Sequence, residues 1–461
     1  MNENALLIDR LSRDYHAEFP GAGLEFERAG HSLINGGSHT LRLFGPAPFR
    51  IVGARGSRIT DSDGHEILDF WQGHYANVLG HNPPLVTAVL ARRLSEGYGL
   101  HTGITESLQT DFAALLLKLI GAEKIRFTAS GTLADMYSIM LARAFTGRQM
   151  VLKVGGGWQG AHPLALKGVS FRDGFDHSES EGLSQDEVES VLLTRYNDPE
   201  DLTDRFREYG DRISCFIVEP WMGMGGFMAA EPEYLRTALE LTHEYGALLI
   251  FDEIISGFRF CAGGVHRLYG IQPDLSTYAK VIGGGMPLAA VAGREEIMRL
   301  CSPASDRRVK FDGGTFSAHP AALLAGHTLV KHLAENEDDI YPRLGEMGER
   351  MRRGVEEAFA REGIYVKCTG YGNEAVPDSS LGMIHFPLEE GIELTCPDQV
   401  WNPAVCDVDR REKVLKLAFL LEKVYVMHGL GALSTEHTGE DLDWLFAACE
   451  GAARRIREIL K

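Results

Sequence analysis

Between about residue 105 and residue 330, short apolar runs alternate with helical patterns of roughly a dozen residues. The runs read "KIRFTAS", "MVLKVG", "ISCFIVEP", "ALLIFDE", "LSTYAK" and "LAAVAG". Few folds accept that alternation. It predicts an α/β unit with a mainly parallel sheet covered by helices. Ligands of such sheets bind beyond the carboxyl ends of the strands. The polar residues that end these runs, Ser130, Glu219, Asp252 and Lys280, are therefore the first functional candidates.

The flanks differ in pattern. The chain looks helical and amphipathic to about Glu27, and Gly56 to Phe70 reads as a β-hairpin turning at Asp63-Gly64. Beyond residue 330, Leu344, Met347, Met351, Val355 and Phe359 recur at helical spacing, the mark of a core-facing stripe. The stretches "YGNEAVPDSSLG" and "EEGIELTCPDQVWNPAVCDVDRRE" are polar and turn-rich. We expect a large domain over 76–330. The N-terminal segment 1–75 and residues 331–461 should together make a smaller α+β domain.

A chain of 461 residues suggests two or three domains. A net charge of −19 argues against a nucleic-acid partner, which needs a basic face. The seven cysteines are scattered with no CxxC, so reduced thiols are expected rather than disulfides or a metal site. No apolar run approaches the ~18 residues of a membrane span. The start, "MNENALLIDRLSRDYH", lacks the pattern of a signal peptide. These features predict a cytoplasmic protein.

The run "ALLIFDEIISGFRF" closes on an acidic pair, Asp252 and Glu253. In a P-loop ATPase such a pair would hold Mg²⁺. In a pyridoxal-phosphate enzyme one such aspartate meets the ring nitrogen of the cofactor. The ATPase also needs GxxxxGK[ST] to cradle phosphates, and no Gly-Lys followed by Ser or Thr occurs in the chain. Lys280 ends an apolar strand just before Gly283 to Gly285, where the backbone can approach a ligand closely. Ser130-Gly131-Thr132 opens a helix, whose free N–H groups and two hydroxyls suit an anion.

Taken in order, "SGTLADMYSIMLARAFTGR", "GGGWQGAH", "FIVEP", "LLIFDEIISGFR", "AKVIGGGMPLAAVAG" and "GGTFSAHP" resemble the class III pyridoxal-phosphate aminotransferases. Within them the chain is most similar to the glutamate-1-semialdehyde aminomutase branch, over about Gly36 to Ala325. The resemblance implies the type I, aspartate-aminotransferase-like fold of pyridoxal-phosphate transferases and pyridoxal 5′-phosphate as cofactor. Lys280 matches the Schiff-base lysine that later shuttles a proton, and Asp252 the partner of the pyridine nitrogen. Ile254 would meet one ring face and Trp158 would stack on the other, where relatives usually have tyrosine. Ser130, Gly131 and Thr132 would bind the phosphate. Gly314 and Thr315 would reach it from the neighbouring subunit of a homodimer with shared active sites. Glu219 matches a cleft glutamate, and Arg259 a structural arginine.

The resemblance also implies substrate-facing positions at Arg42, Trp71, His74 and Tyr75. Departures fall in two places. The family's Asn-Ser-Gly-Thr-Glu-Ala-Asn reads Ala129-Ser130-Gly131-Thr132-Leu133-Ala134-Asp135, and Tyr-His reads Trp158-Gln159. In the aminomutase motif Phe-Glu-Ala-Gly-Phe the acidic place is taken here by Gly429. The expected activity is intermolecular transfer of an amino group, by way of pyridoxamine phosphate, from a small amino donor to a carbonyl acceptor. Intramolecular aminomutase chemistry and a racemase or epimerase are the alternatives. Glu253 is left without assigned chemistry.

Overall fold

In the computed structural model, which describes residues 3–461, all six expected strands enter one seven-stranded sheet. Across the sheet the order is Lys124–Thr128, Ala289–Gly293, Leu275–Tyr278, Leu248–Asp252, Ile213–Val218, Met150–Val154 and Val191–Thr194. Ala289–Gly293 runs antiparallel to both its neighbours, while the strands from Leu275–Tyr278 onward are parallel. The seventh strand, Val191–Thr194, has only four residues and stands at the sheet edge, which is why the sequence pattern does not reveal it.

Every residue of Ile213–Val218 and Leu248–Asp252 is buried. Strands covered by helices on both faces read as continuous apolar runs for this reason. The helix Gly131–Thr146 packs on Ala289–Gly293 and Leu275–Tyr278, so its first turn lies at their functional end. The helix Pro320–Glu335 packs against Ser107–Ile120 and Pro84–Ser95.

The amphipathic start is two helices, Glu3–Glu18 and Pro20–Gly30, broken where Pro20 opens the second. Proline suits that first position because its missing N–H would be unpaired there anyway. The hairpin forms as Arg58–Asp61 and Glu66–Asp69. Its turn is pinned by Asp61, whose carboxylate accepts the N–H groups of Asp63 at 3.1 Å and His65 at 2.7 Å. Val424–Tyr425 adds in parallel to Glu66–Asp69, so the two ends of the chain share one sheet.

The helix Glu337–Arg361 turns Leu344, Met351, Val355 and Phe359 into the core, with Met347 half-buried beside them. Full burial of side chains this size contributes roughly 1.5–3 kcal/mol each. Arg259 joins three segments: its guanidinium donates to Ser380 Oγ at 3.0 Å and to the carbonyl of Tyr75. No helix among the described residues is long and apolar enough to cross a membrane.

Candidate active site

A cleft of about 570 Å³ opens beyond the sheet and brings together Ser130, Gly131, Thr132, Trp158, Ile254 and Lys280. Arg42 and His74 line its opposite side. Lys280 stands two residues beyond its strand, with φ of 49°, a left-handed backbone that turns the chain out of the sheet. Ser130 caps the helix Gly131–Thr146, its Oγ accepting from the Leu133 N–H at 3.4 Å. The remaining first-turn N–H groups, at the positive end of the helix dipole, suit an anion. A Cβ on Gly131 would lie 2.7 Å from Ile254 Cδ1, so a side chain there would push the two walls apart.

Three carboxyl groups are buried at or beneath this cleft: Asp135, Glu219 and Asp252. None has an ion-pair partner among the described residues. Burial pushes Asp252 up to about 6, opposed by the Ile254 N–H at 3.0 Å and by Lys280. Burial and Asp252 push Glu219 up to about 8, against the N–H groups of Gly223 and Trp158. Burial pulls Lys280 below the usual ammonium range, opposed by Asp252, Glu219 and Asp135. That lowering enlarges the fraction of neutral amine available as a nucleophile. The donor set fits pyridoxal phosphate: a cationic ring nitrogen would complement Asp252, a phosphate the helix start, and an aldehyde the Lys280 amine.

Glu219 is a brace for the cleft wall. Its two carboxyl oxygens accept from Trp158 N at 3.0 Å, Gly223 N at 2.8 Å and Gln159 Nε2 at 3.3 Å. Lys153, which belongs to no motif, braces the same loop from below by donating to the carbonyls of Gly157, Ala165 and Lys167 at 2.9–3.1 Å. A lysine inside the apolar run "MVLKVG" was the available signal. Glu253 accepts from His266 Nδ1 at 2.6 Å and from Val265 N at 2.5 Å, in full burial and away from the cleft lining. It ties two loops together.

Arg42 and His74 meet at the cleft, with Arg42 Nε donating to His74 Nε2 at 3.2 Å. Burial and Arg42 pull His74 down to about 3, so its ring stays neutral and can accept that bond. Trp71 and Tyr75 do not line the cleft; they are buried behind His74, with Trp71 4.2 Å from the His74 ring and 5.0 Å from that of Tyr75. Gln72, Gly73, His74 and Tyr75 all have positive φ, a left-handed turn that presents Gly73 and His74 to the cleft. Asp69 holds this turn through the N–H groups of Trp71 at 2.8 Å and Gln72 at 3.0 Å. Gly314 and Thr315 stand on an exposed loop outside the cleft lining.

Residues 44–371 match the family described as Aminotransferase class-III. A glutamate-1-semialdehyde 2,1-aminomutase of Thermoplasma acidophilum is 35% identical over 348 residues, 75% of this chain and 81% of that protein. An omega-transaminase from Sphaerobacter thermophilus superposes with a TM-score of 0.83 at 30% identity, over 95% of this chain and 98% of that one. The FumI protein of Sphingopyxis sp. MTA144, solved in its PLP internal aldimine form, gives a TM-score of 0.75 at 25% identity over 95% and 96% of the two chains. A cleft built for a cofactor with these charges and a family match across most of the chain agree: the chain belongs to the class III aminotransferases, enzymes that work with pyridoxal phosphate.

Proposed function

We propose that the protein transfers an amino group between two small molecules, from an amino acid or amine to an oxo acid or aldehyde. Lys280 holds the cofactor and moves the proton, and Asp252 pairs with its ring nitrogen. The observation that carries this reading is their placement. Asp252 pairs in register with Thr277, and Lys280 follows Thr277 by three residues, just past the end of that neighbouring strand. Bound there, pyridoxal phosphate supplies an electron sink for the carbanion. Trp158 and Ile254 wall its two faces, and Ser130, Gly131 and Thr132 receive its phosphate.

The similarity to the glutamate-1-semialdehyde 2,1-aminomutase of Thermoplasma acidophilum favours a second reading, intramolecular amino transfer. Gly429 speaks for the first. Its φ is 91°, and a Cβ there would stand 2.7 Å from the carbonyl oxygen of Ile384. The glutamate expected of an aminomutase at this place has no room on this backbone.

The enzyme works as a homodimer in this reading. Phe316 is 61% exposed next to Gly314 and Thr315, and Leu100 and Ile104 are 84% and 72% exposed on the segment that touches this loop. Apolar exposure of this size suits a second copy of the chain. All seven cysteines are free thiols, which supports a reducing, cytoplasmic setting. The sheet shared by residues 51–69 and 424–425 supports grouping 1–75 and 331–461 as the smaller domain beside 76–330.

Loaded protein mixed with an amino donor alone should convert its cofactor stoichiometrically to the amine form, and an added oxo acid should restore it. Lys280→Ala should lose the near-visible absorption band of lysine-bound cofactor. Isomerisation of glutamate 1-semialdehyde without any added acceptor, and no conversion by any donor, would favour the second reading instead.

A further inference from the structure

Asp135 stands where the family's motif has asparagine. It is fully buried, and it lines the cofactor cleft between the helix start and Lys280. Its Oδ1 accepts from the Thr277 hydroxyl at 2.7 Å. Thr277 pairs in register with Asp252, so the two carboxyl groups stand on either side of one residue. Its Oδ2 is enclosed and has no hydrogen-bond partner among the described residues.

That enclosure is wrong for an anion. An ionised carboxylate is an acceptor only and wants several donors, and this one receives a single hydroxyl. No cation pairs with it among the described residues. Burial weighs most against its ionisation, Asp252 and Glu219 add to that, and Lys280 and the more remote Lys153 oppose them more weakly. Two carboxyl groups this close in a buried site titrate as a pair, and the first charge blocks the second. Asp252, which faces the cationic nitrogen of the cofactor, takes that charge. The proton then stays on Asp135 Oδ2, the one oxygen left without a donor.

We propose that Asp135 is a neutral carboxylic acid that faces the cleft as a hydrogen-bond donor to the bound cofactor, leaving Asp252 the single anion beneath the ring. A carboxylic acid kept protonated by its surroundings is a known way to place a donor where asparagine would otherwise stand. The inference rests on the pyridoxal-phosphate reading of the cleft.

The test compares Asp135→Asn and Asp135→Ala with the wild type, titrating each apoprotein with pyridoxal phosphate at pH 6, 7 and 8 and following binding by tryptophan fluorescence. Asparagine keeps both an acceptor for Thr277 and a donor, without charge. The proposal expects Asp135→Asn to bind within about threefold of wild type at each pH, and Asp135→Ala to bind at least about tenfold more weakly. Loss of about tenfold or more in Asp135→Asn would mean that a negative charge had been removed, and would overturn it. So would wild-type affinity in Asp135→Ala. Thermal melts of the apoproteins identify a variant that has merely lost its fold, in which case Asp135→Val, which also lacks a donor, replaces Asp135→Ala. Failure of the wild type itself to bind would count against the cofactor reading, a separate outcome from either of these.

Discussion

Glu219 accepts the backbone N–H of Trp158 at 3.0 Å, so a carboxylate at the end of one strand fixes the aromatic wall of the cleft. Its other oxygen takes Gly223 N at 2.8 Å. Glu219→Ala leaves both buried N–H groups without an acceptor, at about 1–3 kcal/mol each. Part of that loss should appear as weaker cofactor binding, about tenfold or more in a titration of the apoprotein. Glu219→Gln keeps one carbonyl acceptor and should lose less. Wild-type binding by both variants would mean that Trp158 stays in place without Glu219.

Asp252 gives the apoprotein a pH dependence whose sign follows from its surroundings. Burial raises it to about 6 in the folded chain, whereas an exposed aspartate titrates near 4. Between those values the folded state holds more protons than the unfolded state, so this group withdraws stability as pH rises. The withdrawal is roughly 1.4 kcal/mol per unit of separation. Buried histidines held below their usual range, His74 and His385 among them, act in the opposite sense. The informative quantity is therefore a difference. Asp252→Asn apoprotein should gain stability relative to wild type from pH 4 to about 6, then level off. Added pyridoxal phosphate should abolish that advantage, because its ring nitrogen favours the charged form of Asp252. Urea midpoints for both proteins across this range measure it, and a constant difference would refute the assignment.

How far the sequence could be read depended on whether a residue's role is set locally. Asp252 and Lys280 end apolar runs, and the fold brings Lys280 into the cleft lining and buries Asp252 beside it. The six strands were legible because full burial makes them continuous apolar runs. Val191–Thr194 was not, since four residues at an edge carry little pattern. The setting of Trp71 and Tyr75 was not legible for a different reason. The left-handed turn from Gln72 to Tyr75 reverses which side chains face outward, and that turn is held by Asp69 rather than by any glycine-rich signature. Glu253 looked catalytic only because it adjoins Asp252.

The work of Glu253 is structural, and its removal should say so. It is fully buried and binds His266 Nδ1, Val265 N and Ser256 Oγ. Breaking a buried pair of this kind leaves its partners uncompensated, at about 3–5 kcal/mol. Glu253→Ala should therefore lower the urea midpoint strongly while the folded, loaded protein keeps its cofactor absorption band. A variant of normal stability with an altered band would give Glu253 a part in the chemistry.

The exposed loop carrying Gly314 and Thr315 makes the assembly testable through the cofactor. Thr102 Oγ1 donates to the Thr315 carbonyl at 3.0 Å, which locks the loop to the segment bearing Leu100 and Ile104. A charge at Ile104 or Phe316 faces solvent in an isolated chain, so Ile104→Asp and Phe316→Asp should leave its fold and melting behaviour within about 0.5 kcal/mol of wild type. In a dimer each charge would instead be buried, at several kcal/mol if unpaired. Sedimentation should then show monomers. If the loop of the partner subunit reaches the phosphate, the monomers should also bind pyridoxal phosphate at least about tenfold more weakly, since a charge-assisted contact contributes about 1.5–3 kcal/mol. Monomers that bind with undiminished affinity would separate the two claims, keeping the dimer and removing Gly314 and Thr315 from the site.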